Sequence, residues 1–123
     1  MNNDYFVTED ALKNRRDAVK GFLRGEIRGW RDALADINES ARLTVQEYGA
    51  DLGLDMQDQV DSLKLQMPLM VNDETKKSGL FTMTPELIAK SVELLKISGV
   101  DTTPDLFDMS VLQEIYAEDP KLI

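Results

Sequence analysis

The chain has 123 residues, 23 acidic against 14 basic, a net charge of −9, and neither histidine nor cysteine. Disulfides, thiolate nucleophiles, histidine triads and His/Cys zinc sites are therefore excluded, and any catalysis would rest on carboxylates, lysines, tyrosines or hydroxyls. The length suits a single domain over residues 1–123, and the acidic balance argues against nonspecific nucleic-acid binding, because phosphates are repelled at long range.

In chain order, Tyr5, Phe6, Val7 and Thr8 have aromatic and β-branched character and read as a short strand that needs a partner. Thr8 can cap a turn through Glu9, Asp10, Ala11 and Leu12. Residues 1–4 lack the basic and apolar segments of a secretory signal, which places the chain as it stands in the cytoplasm. No apolar run approaches the roughly 18 residues that span a bilayer, so no membrane insertion is expected.

Asn14 reads as the N-cap of the strongest helix. Val19, Phe22, Leu23, Ile27, Trp30, Leu34 and Ile37 recur at three and four residues and form one apolar stripe. Trp30 on that stripe reads as a core residue. Lys20, Arg24, Arg28 and Arg31 make a basic strip beside it, which we read as paired within the helix to Asp17, Glu26 and Asp32. Gly21, Gly25 and Gly29 recur every four residues, although each glycine costs about 1 kcal/mol relative to alanine in a helix. The physical use of such a strip is close approach by another element; the alternative is plain tolerance.

Asn38 then restarts a helix to about Tyr48, closed by a left-handed Gly49. Asp55 caps a third long helix with Met56, Val60, Leu63 and Met67 inward, which Pro68 either ends or bends. Residues 72–83 read as irregular: a polar loop, then the apolar Leu80, Phe81 and Met83. Thr84 and Pro85 start a helix that Gly99 closes. Leu106 and Phe107 pack inward, and Asp108 caps a last helix from Met109 to about Ala117. The fold class is mainly α, five or six helices with one short N-terminal strand.

No motif places catalytic chemistry. Asp55, Asp58 and Asp61 lack the glycine-turned loop of an EF-hand, and Asp73 and Glu74 have no marked partner, so all five read as solvated charge. The glycines lack the Gly-Lys-Ser/Thr ending of a phosphate loop. No metal or cofactor is expected.

Several stretches resemble, in order, the C-terminal third of bacterial ABC-transporter solute-binding proteins of the thiamine-pyrimidine, sulfonate, nitrate and taurine type. Phe6-Val7-Thr8 with Ala11-Leu12 resembles the strand that re-enters the first lobe. Residues 17–24 followed by Arg28-Gly29-Trp30 resemble the family's long helix, and residues 33–41 its continuation. Met67-Pro68-Leu69-Met70-Val71, the loop Gly79-Leu80-Phe81-Thr82-Met83-Thr84-Pro85-Glu86, Leu94-Leu95 with Ser98-Gly99-Val100, and Asp105-Leu106-Phe107 resemble successive family segments. The family usually has proline where Arg16 stands, and often an aromatic near Thr82.

The resemblance implies the helical C-terminal part of a type II periplasmic-binding fold and a role in binding, not an enzyme. Such proteins trap a small molecule between two lobes and deliver it to a permease. Here the ligand would belong to a full-length periplasmic parent, since this chain lacks the cleft. Phe81 is the one ligand-binding candidate, and it has no motif support. A lone segment of this kind is expected to form a homo-oligomer, a dimer, through Tyr5, Phe6 and Val7 or through Gly21, Gly25 and Gly29. The alternative is a self-standing helical protein–protein interaction or oligomerisation module.

Overall fold

The computed structural model describes residues 5–123; residues 1–4, read above for a leader, lie outside the described residues. Among the described residues seven α-helices follow one another: α1 (Glu9–Asn14), α2 (Arg16–Ala35), α3 (Ile37–Arg42), α4 (Met56–Met70), α5 (Thr75–Ser78), α6 (Pro85–Ile97) and α7 (Ser110–Glu118). Leu43–Tyr48 continues α3 as a wider π-helical turn, and Pro104–Leu106 and Pro120–Leu122 form single 3-10 turns. The mainly helical reading holds, with one or two more helices than expected.

The expected strand is absent: residues 5–8 carry no strand, and among the described residues no backbone bond ties residues 5–7 to another segment. An extended segment becomes a strand only beside a second one that exchanges N–H and C=O bonds with it, and no such neighbour is present. Thr8 does cap α1, its hydroxyl accepting from the Ala11 N–H at 3.1 Å.

Several boundaries move for local reasons. α2 starts after Arg15, which has no side-chain cap, and not after Asn14, whose amide donates instead to Asp10. Asp36, not Asn38, caps α3, accepting from the Glu39 N–H at 3.0 Å. Gly49 has φ −122° and so is not left-handed. It is needed for close approach, since a Cβ there would lie 2.5 Å from the Thr44 carbonyl oxygen. Pro68 stays inside α4, which runs on to Met70. α5 arises within the stretch read as irregular, where Asn72 accepts from the N–H groups of Glu74 and Thr75 at 3.0 Å. Gly99, at φ 84°, does close α6 in the left-handed region.

The main core lies between α2 and α7. Ile27 and Ile115 are fully buried there, with Val111, Leu112, Tyr116 and Leu122, while Leu12, Val19, Leu23 and Phe81 pack partly against them. α3 joins α2 to α4, with Ala41 and Val60 buried. α6 buries Ser91 and Val92 but packs chiefly on the nearby 3-10 turn at Pro104–Leu106. Leu106, expected inward, is 60 % exposed, because this short turn reaches no deeper layer.

Candidate functional site

α2 and α7 run side by side in the same direction, as their charge pairing shows. Arg16 donates to Glu114 at 2.7 Å and to the Ser110 hydroxyl at 2.7 Å. Lys20 reaches Glu114 at 3.3 Å and also pairs with Glu118, which Arg24 engages as well. Arg28 lies 3.8 Å from Asp119, and Arg31 donates to the Lys121 carbonyl at 2.6 Å. Among the described residues, none of the strip's ion pairs is intrahelical, which corrects the expected pairing with Asp17, Glu26 and Asp32. Cations at spacings of four on α2 meet acids at spacings of four on α7.

This pairing explains an otherwise unfavourable placement. Arg16 opens α2, where the helix dipole is positive, and Glu118 ends α7, where it is negative. Each charge opposes its own helix and is offset by side chains of the other helix, Glu114 for Arg16 and Lys20 with Arg24 for Glu118. Hydrogen bonds from Arg16 and Lys20 hold the Glu114 carboxyl below the usual carboxylate value, and Lys20 with Arg24 does the same for Glu118. Lys20 is raised in turn, chiefly by its bond to Glu118.

α7 also carries Tyr116, read from sequence only as apolar. Its buried hydroxyl donates to the Leu80 carbonyl at 2.8 Å. Burial pushes the phenol up to about 12. Gly79 lies flat on the ring: a Cβ there would sit 2.1 Å from Tyr116 Cζ, and its φ of 95° favours glycine independently. Thr82 closes the turn by donating to the Gly79 carbonyl at 2.7 Å. Between them, Phe81 holds φ 68°, the sole non-glycine with positive φ among the described residues.

The Phe81 ring meets Tyr5 edge to face at 5.7 Å, and Tyr5 meets Phe22 likewise at 5.5 Å. The Tyr5 hydroxyl donates to Glu26. Tyr5 and Phe81, two residues singled out from the sequence, thus come together. Phe6, by contrast, is 93 % exposed. Among the described residues, no heavy atom outside their own helix backbone lies within 4 Å of where a Cβ of Gly21, Gly25 or Gly29 would stand, so no described element approaches the strip.

Two open surface depressions, of about 430 and 420 Å³, flank the same loop and share Glu74, Thr82 and Thr84. Tyr116, Met109 and Gln113 line the larger one, and Phe81 lines neither. No family model, curated protein or solved structure matches the chain.

The acidic side chains singled out from sequence are used locally. Asp55 caps α4 through the N–H groups of Gln57 and Asp58, Asp61 lies 3.7 Å from Lys64, and Asp73 and Glu74 each lie 3.8 Å from a lysine. Among the described residues no group of three or more acidic side chains is placed to hold a metal ion, and no helix is long and apolar enough to cross a membrane.

Proposed function

We propose that this chain is the C-terminal helical portion of the solute-binding protein of an ABC importer, with no complete ligand cleft of its own. The observation that carries the reading is apolar surface left without cover on two of the longer helices, α4 and α6. Leu65 and Leu69 on α4, and Leu94 and Ile97 on α6, stand 63–76 % exposed. Scattered apolar residues are ordinary on a monomer, but exposed pairs one turn apart along a helix mark a face that another body covers. The motif order from Phe6 to Phe107 says which body: the two α/β lobes of a type II periplasmic-binding protein. In that setting residues 5–8 would gain the neighbouring strand they lack here, and the parent would be periplasmic and bind a small molecule.

Sequencing the DNA upstream of Met1 tests this directly. The expected result is a continuous reading frame encoding two α/β lobes behind a signal peptide. A stop codon and a promoter immediately before Met1 would overturn it.

One observation favours a second reading, a self-standing helical association module. The Gly21, Gly25 and Gly29 strip is open beside the 54 % exposed Phe22. A second helix could approach closely there. Gly25→Leu would then abolish self-association measured by sedimentation, and unchanged association would remove the glycine strip from the interface.

A further inference from the structure

α7 joins the charge ladder to the loop at residues 79–82: Glu114 and Glu118 on one side of the helix hold the ladder, and Tyr116, between them in sequence but on the opposite side, holds the loop. The register of α7 on α2 therefore decides where the Tyr116 hydroxyl stands. That position has little latitude. The hydroxyl reaches Leu80 at 2.8 Å, and Gly79 rests against the ring where even a methyl group would clash. A helix advances about 1.5 Å per residue, so a slip of α7 by one residue would break that bond or press the ring into the backbone of Gly79.

The apolar seam alone does not specify register so narrowly. Val111, Leu112 and Ile115 are aliphatic side chains that tolerate repacking, whereas ion pairs at matched spacings favour one alignment and oppose its neighbours. We infer that the ladder of Arg16, Lys20, Arg24 and Arg28 with Glu114, Glu118 and Asp119 is a salt-sensitive latch that sets the conformation of the loop at residues 79–82 through Tyr116. The charged groups that face one another across the seam are these seven, together with Asp108 near Arg16 and with Arg31, which bonds the Lys121 carbonyl. Most of the paired side chains are partly exposed, so added salt reaches and weakens them.

The carbonyl carbon of Leu80 reports the link, because its NMR shift responds to the hydrogen bond it accepts. In the full chain, raising NaCl from about 0.05 M to about 1 M, where the Debye length is about 3 Å, should move that resonance toward its value in Tyr116→Phe. Glu118→Gln should produce the same movement at low salt. In Tyr116→Phe itself the resonance should no longer respond to salt, while the carbonyls of α4 stay unchanged throughout. A Leu80 resonance indifferent to salt in the unaltered protein would overturn the inference, and so would an equal response in Tyr116→Phe.

Discussion

Phe81 and Tyr116 hold one loop by different means, and substitutions separate the two. A non-glycine residue in the left-handed region carries roughly 1–2 kcal/mol of steric cost, which Phe81 bears while its ring packs on Tyr5. Phe81→Ala loses the ring and keeps the strain; Phe81→Gly loses both. The glycine variant should therefore be the more stable of the two by about 1 kcal/mol in urea unfolding, less what glycine adds to the freedom of the unfolded chain. An alanine variant more stable than the glycine one would mean that the backbone at residue 81 relaxes. Tyr116→Phe removes the hydroxyl from a buried carbonyl and should cost about 1 kcal/mol, with the fold retained. At this scale the sequence was partly legible. A glycine before an apolar cluster marked the loop, but nothing local to Tyr116 revealed that its hydroxyl serves a carbonyl 36 residues away.

Among the elements, α2 and α7 contribute pH dependence through their ladder. Glu114 and Glu118 sit below their ordinary value of 4.5, so their contribution is complete above that value and is lost as pH falls through the lowered folded values. Lys20 is raised above 10.5 and Tyr116 is pushed up to about 12, so both contribute fully below their unfolded values and lose that contribution as pH rises. Thermal unfolding followed from about pH 3 to about pH 12 should show a plateau with a fall on each side. Glu118→Gln should flatten the acid side; an acid limb identical in that variant would remove the ladder as its cause. Helix spacing on both elements was readable from the sequence, as were the Thr8, Asp55 and Thr84 caps. The pairing was not, because acids on the same helix offered the cations nearer partners, and only tertiary packing shows that α7 supplies them instead. Residues 5–8 failed for the related reason that a strand is a property of two segments.

For the whole molecule, the balance of covered and uncovered apolar surface matters most. Two isoleucines are fully buried, whereas Phe6, Tyr48, Leu65, Leu69 and Ile97 are each more than 70 % exposed. Sedimentation at rising concentration should show association beyond a monomer, reduced in the double variant Leu94→Lys and Ile97→Lys, which sits away from the main core. A monomer at every concentration would show that these faces do not bring copies together. The sequence marked which residues are apolar and which helical face each occupies. It could not mark which faces would go uncovered, since that depends on which elements tertiary packing brings against α4 and α6.

The α2–α7 seam also fixes an order of events during synthesis. The ladder joins side chains 91–98 positions apart, so α2 emerges from the ribosome long before its partner exists. Until residues 110–119 follow, Ile27 and its stripe remain wet and four cations lack their acids. Pairings of such separation form slowly, and surface waiting on them is open to wrong partners. The nascent chain thus passes through an interval in which its most hydrophobic helix face is available to a chaperone or to a neighbouring nascent copy. Completion of the last helix ends that interval.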